Sequence, residues 1–206
     1  LEQVVRVVRT FRPHVVITRF PEAGPTHGHH LASARLARQA FAAAGDPERF
    51  REHIAGGLKT WTPQRLFYNF PHFWAKRGQE PPAGPRFDVD VGGYDPWLGV
   101  SYGELSGRSR SMHKSQGFGA SARIGPWEET LVLLEGDPPK NDDPLEGLGT
   151  LTDLPGGAQV AEVLEVARRA FEGGAPAKVI PWLGRAHRAA AQVQDAELRA
   201  ELRAEI

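Results

Sequence analysis

The chain contains no cysteine. Disulfides and thiolate ligands are thereby excluded, and any metal must be held by imidazole or carboxylate. It also lacks an excess of either charge, with 25 Lys and Arg against 25 Asp and Glu. No long-range field therefore argues for nucleic acid or an anionic membrane as a partner. No apolar run approaches the roughly 18 to 20 residues of a membrane-spanning helix, so no membrane span is expected. No internal repeat is visible. The first residue is Leu1, not methionine, and it already stands inside a helical pattern. The natural N-terminus, with any signal peptide, is expected upstream, which leaves the compartment open.

What is present is a stretch around which the rest is organised, HVVITRFPEAGPTHGHHLASARLARQAFAAAG from His14 to Gly45. Val15, Val16, Ile17 and Phe20 form a short apolar run suited to a buried strand of a parallel sheet, and Pro21 stops it. From Leu31 onward alanine and leucine dominate, predicting a helix over about 29–44 that ends at Gly45. In open α/β sheets the loop leaving the carboxyl end of a strand lines the ligand crevice. This loop carries His27, His29 and His30.

Leu1, Val4, Val5, Val8 and Phe11 make an amphipathic stripe, a first helix ended by Pro13. A short helical patch holds Phe50 and Ile54, and an aromatic-rich strand runs over Gln64–Phe70. Residues 71–86 are a Pro/Gly-rich loop of the length that serves as a lid or binding loop. Phe87, Val89 and Val91 alternate with Asp88 and Asp90, which marks a half-exposed edge strand. A helix is expected over 101–116, a buried strand over Thr130–Leu134, and a polar connection over 136–157. Helices over 158–172 and 182–204 close the chain, the last rich enough in Ala, Arg and Glu to be a solvent-edged spacer.

Two readings of the histidines stand side by side. With a helix starting near His29, His27 and His30 are three positions apart and share one side of its first turn, while His29 points about 100° away. The pair can then serve one small site, short of the three ligands that catalytic zinc commonly takes. Alternatively the three are polar loop residues that cap the helix and face solvent.

The phrase RPHVVITRF…GPTHGHHLASARLARQAF resembles the second motif of the LmbE-like, or PIG-L, deacetylases, zinc hydrolases that remove acetyl from N-acetylglucosamine conjugates and related N-acyl sugars. ELSGRSRSMHKSQGFG resembles a branch of that family in which a His-Lys-Ser-Gln helix end follows the core. The resemblance covers most of residues 1–135. It implies that His30, the second histidine of the family's His-x-x-His, is a zinc ligand. It also implies that His27, the first, is the catalytic imidazole that stabilises the oxyanion or protonates the leaving amine. His29 stands where many members have aspartate. The family's first motif, Ala/Gly-His-Pro-Asp-Asp-Glu, is absent from these 206 residues. Asn141-Asp142-Asp143-Pro144 is the nearest text and falls at the wrong place. The expectation is therefore a core that begins after that motif, with an incomplete metal site.

Lesser signals are weighed against plain structural roles. Gly117-x-Gly119-x-x-Ala122 has the letters of a dinucleotide loop but follows a helix, where the fingerprint needs a strand. Lys114-Ser115 resembles a P-loop ending without its glycine. Arg108, Arg110, Lys114 and Arg123 form a basic patch, and with His113 they either meet a substrate anion or make a solvated helix face. Trp61, Phe67, Tyr68, Phe73 and Trp74 make either a sugar-stacking wall or core.

The combined expectation is an α/β fold, a Rossmann-like three-layer sandwich with a mostly parallel sheet, its first strand missing and a helical C-terminal extension. Residues 1–135 would be an N-terminally truncated deacetylase core. Residues 136–206 would be a connection and helices that pack on it or lead to a downstream region. The function implied is part of a zinc-dependent (or other divalent-cation) N-acyl-sugar deacetylase that hydrolyses an amide with metal-activated water, this stretch being inactive alone. Its sites are His27 (catalytic) and His30 (metal), with His29, His113, Lys114 and Arg110 as candidate substrate contacts; its partner is an N-acetylated sugar conjugate, and an oligomer is open. The alternative is a non-catalytic glycan-binding or scaffold module of the same fold; a nucleotide-binding domain is a weaker third.

Overall fold

The computed structural model describes residues 1–71, 75, 78, 80–95, 98–116, 122–148 and 151–206. They form two compact units, one of residues 1–95 and 99–146 and one of residues 96–98 and 147–206.

In the first unit, α1 (Glu2–Phe11) buries Val5 and Val8 against Ala40, Ala43 and Ala44 at the end of α2 (Gly28–Ala43). It stops where Arg12 turns left-handed, φ 55°, and Pro13 cannot extend the helix. Its stripe has two exceptions: Phe11, at the helix end, is 78% exposed, and Arg9 is buried. Arg9 is 1% exposed, and its guanidinium donates to the carbonyls of Ala43, Ala44, Asp46, Arg49 and Phe50. Those oxygens belong to the end of α2 and the turn before α3 (Arg51–Ala55), where a helix leaves carbonyls without internal partners. Arg9 supplies them.

The sheet orders its strands β1 (Val15–Thr18), β2 (Arg65–Phe70), β6 (Glu128–Gly136) and β3 (Arg86–Asp90). β1 runs parallel to β2, placing Ile17 beside Phe67, whereas β6 is antiparallel to both β2 and β3. The sheet is thus mixed, which corrects the expectation of a mostly parallel one. The physical reason lies in where β6 begins. Thr130 pairs with Phe70 and Glu128 with Asp90, so β6 starts at the end where β2 and β3 finish and runs back. An apolar run such as Thr130–Leu134 states burial and not direction. Phe67, Phe87, Leu131 and Leu133 share one face; Tyr68, Phe70 and Val132 share the other. β3 is an edge strand with Phe87 buried and Asp88 and Asp90 exposed, as its alternation predicts.

A small pair, β4 (Tyr94–Asp95) and β5 (Val100–Ser101), precedes α4 (Tyr102–Ser111). α4 opens on a capping box: Ser101 Oγ accepts from Glu104 N, and the Glu104 carboxylate accepts from Ser101 N. It ends earlier than the expected 116, with a separate 3-10 turn at Lys114–Gln116.

The second unit holds α5 (Ala158–Ala170), α6 (Ile180–Ala190) and α7 (Ala196–Glu205). The single closing helix expected over 182–204 is two helices. The chain breaks after Ala190, and the Asp195 carboxylate restarts it by accepting from the backbone N–H groups of Glu197 and Leu198. The break returns Leu198, Leu202 and Ile206 to a cluster around Val160, Ala189, Ala190 and Val193. That stripe is half-buried on the cluster while most of the other described residues of α7 are exposed, so the helix is solvent-edged as expected but packs on its own unit. No described helix is long and apolar enough to cross a membrane.

Candidate functional site

The loop between β1 and α2 is pinned from several directions. At its start Arg19 donates to the Asn69 side chain on β2 at 2.6 Å and to Glu129 on β6 at 2.7 Å. Midway, the Glu22 carbonyl accepts from Arg35 at 2.9 Å, and its carboxylate pairs with Arg38, which also bonds Glu135. Gly24 takes φ +126°, a conformation that side chains rarely tolerate. Each surface ion pair alone is worth little. Together they fix the path by which the chain reaches the histidines.

His27 occupies the N-cap position of α2 with extended backbone, yet its side chain makes no capping hydrogen bond. The capping explanation for this imidazole therefore fails. The His27 and His30 rings lie 3.6 Å apart between centroids, and His29 stands 6.0 Å from His27. His30 is half-buried while His27 and His29 are exposed. The His30 ring also stacks on Phe20 at 3.5 Å, nearly parallel at 8°.

His30 Nδ1 is 2.8 Å from Thr26 Oγ1. With Nδ1–H donating to that hydroxyl, Nε2 keeps its lone pair, the tautomer a metal-ligating histidine needs. Partial burial, then the neighbouring His27 and His29, hold the His30 pKa below the ordinary 6.5 and so favour the neutral donor. By donor chemistry His30 fits a zinc-type ligand. Among the described residues the three loop histidines do not converge as a three-donor group. At most one or two protein ligands are offered here.

The described residues do contain one such grouping elsewhere: Glu2, Glu52 and His53, with ligand atoms within 4.8 Å of one another. Its chemistry speaks against a metal. Arg9 can only donate, so His53 Nδ1, 3.4 Å from its Nη1, accepts, and the ring proton sits on Nε2. Nε2 is the atom a metal would require; it is buried without a hydrogen-bond partner, 3.7 Å from Glu2 Oε1. Neither Arg9 nor His53 carries a sequence signal, because a polar residue beside an apolar stripe ordinarily faces water.

The other candidates are distributed. Arg110, His113 and Lys114 are exposed at the end of α4, where His113 Nδ1 donates to the Arg110 carbonyl at 3.2 Å. Arg123 lies over Trp127 at 3.4 Å from its ring. Trp61 donates to the Pro13 carbonyl and packs on the α1–α2 cluster, and Phe67 is buried on the sheet face opposite Tyr68. These three do not form a continuous wall. Phe73, Trp74, Gly117 and Gly119 lie outside the described residues.

No family model matches the chain. A stretch of 67 residues is 31% identical to a mycothiol S-conjugate amidase of Streptomyces coelicolor (strain ATCC BAA-471 / A3(2) / M145). That protein is an amidase. The matched stretch is 32% of this chain and spans 22% of that protein's length. Its reaction class agrees with what the motif resemblance implies, at the level of an amide hydrolase.

Proposed function

We propose that this chain is part of a metal-dependent amide hydrolase of the LmbE and PIG-L kind, with a Rossmann-like core, that acts on an N-acylated sugar conjugate. One observation carries the reading: an imidazole at the carboxyl end of β1, its Nδ1 2.8 Å from Thr26 Oγ1, with a second, exposed imidazole 3.6 Å from it between ring centroids. A similarity to an amidase supports the same class.

In this reading His30 Nε2 is the chain's donor to a divalent cation. When bound, the cation supplies Lewis acidity, polarising the amide carbonyl and acidifying water. His27 stands beside it without a capping duty. As imidazolium it would donate to charge developing on the carbonyl oxygen as water adds to the acyl carbon, and then pass the proton to nitrogen as the C–N bond breaks, so that the sugar amine leaves and the acyl group, now carrying the water oxygen, is released as carboxylate. The α2 N-terminus adds backbone N–H groups that favour negative charge at the same place. His29, Arg110, His113 and Lys114 are proposed as outer substrate contacts, and 1–135 as the catalytic core with 136–206 as an accessory region.

The test is acetate release from N-acetylglucosamine conjugates by this chain and by the full open reading frame, with and without chelator. Expected is chelator-sensitive turnover by the full protein, abolished in His30→Ala and strongly reduced in His27→Ala, with none from the 206 residues alone. Full-protein turnover that survives chelation and His30→Ala overturns the proposal. The second reading, a non-catalytic glycan-binding module, draws on the lack of a three-donor group at the loop among the described residues. It predicts glycan binding without turnover in the full protein.

A further inference from the structure

The loop that presents the histidines has another side. Between loop residues 20–25, α2 and the sheet face of Tyr68, Phe70 and Leu134 lies a cavity of about 540 Å³. That is within the range of roughly 300 to 1,000 Å³ that holds small ligands. The floor is aromatic and aliphatic. The charged groups on the described lining are Glu22, Arg38 and Glu80, and Arg38 is already paired with Glu22 and with Glu135 beyond the lining. An anion finds no unengaged cation among these described residues. A neutral apolar group finds a surface whose dehydration is favourable.

The cavity and the imidazoles meet through the loop itself. Phe20 lines the cavity and stacks on His30, while Pro25 lines it and is followed directly by Thr26, the partner of His30 Nδ1. We propose that this cavity takes the neutral aryl or alkyl substituent of the N-acylated conjugate whose amide lies at His27 and His30. The assignment rests on the amide-hydrolase reading above. It makes the enzyme selective for conjugates bearing an apolar arm and indifferent or averse to those bearing a charged one.

The experiment reads binding apart from turnover, by titration calorimetry of the full protein in the presence of chelator, where hydrolysis is silenced, with the phenyl and the methyl glycosides of N-acetylglucosamine. Expected is a phenyl preference of at least about tenfold, the effect of dehydrating one aromatic ring. Ala23→Trp, at the exposed rim, should cut the preference to below about twofold. Pro82→Trp, at another point of the lining, should do the same and stands in if the first variant does not fold. Equal affinity for the two glycosides overturns the proposal, as does a preference that both variants leave intact. Acetate release with the same kcat/KM for both glycosides removes the cavity and keeps the hydrolase. A phenyl preference abolished by the tryptophans, in a protein that releases no acetate, keeps the cavity and removes the hydrolase.

Discussion

Two histidines of this chain sit in opposite kinds of surroundings. His53 is fully buried between α1 and α3, its Nδ1 facing the Arg9 guanidinium, and Arg9 in turn satisfies five backbone carbonyls. His30 is half-buried at a loop, with one partner for Nδ1 and a second imidazole against its face. The first is a histidine used for its shape and a single acceptor. In the proposed reading the second is held through Nδ1, which leaves Nε2 for a metal. Counting donor atoms alone selects the Glu2–Glu52–His53 grouping, which has the ligand number but a tautomer that disfavours a metal. What a neighbour can donate or accept decides which imidazole is available.

The contrast is broken most forcefully at Arg9. Arg9→Met keeps much of the apolar stem and removes the donors, leaving buried carbonyls without partners at 1 to 3 kcal/mol for each such group in isolation, with some relaxation. A loss of about 3 to 5 kcal/mol is expected, as for breaking a buried charged network. Urea denaturation checks it, with the midpoint falling at unchanged slope. A loss below about 1 kcal/mol would mean that those carbonyls reach water and that the cluster is not structural.

At the loop the order reverses, with function lost and stability kept. Thr26→Val removes the hydroxyl that orients His30 and should weaken zinc binding by the full protein about 10- to 100-fold, the usual cost of an outer partner of a metal-ligating histidine. Unfolding free energy should move by less than about 1 kcal/mol, since the site is half-exposed. His53→Leu should leave zinc affinity unchanged while costing about 1 to 2 kcal/mol of stability through the lost acceptor for Arg9. If His53→Leu weakens zinc and Thr26→Val does not, the roles of the two histidines are exchanged.

How far the sequence could be read follows the same division. α1, α2, β2 and β3 were accessible because Val5 and Val8, the alanines of α2, and the alternation at Phe87–Asp90 are local patterns that burial imposes. The antiparallel course of β6 was not, because strand direction depends on where the chain re-enters the sheet. The break before α7 turns on one capping residue, Asp195, inside an otherwise continuous helical composition. At the site, the spacing of His27 and His30 pointed to a shared location, and the structure brings their rings to 3.6 Å. Thr26 and Phe20 carried no signal of their own, since a hydroxyl four residues before a histidine and a ring ten before it become partners only when the loop folds back.

The smallest effect is the most selective. His30 is held below the ordinary 6.5 by partial burial and by electrostatic repulsion from His27 and His29. The unfolded chain therefore takes up the proton first as pH falls. The associated stability is complete above 6.5 and is lost as pH drops through the lower folded value. In proton NMR of the isolated chain, the His30 ring signal should titrate below 6.5, and replacing His27 and His29 by glutamine should move its midpoint upward by removing that repulsion. A midpoint above 6.5 in the unmodified chain would place a stabilising anion beside His30 in place of a neutral donor pair. The proton would then compete more strongly with a metal for Nε2, and the comparison with His53 would no longer separate the two residues.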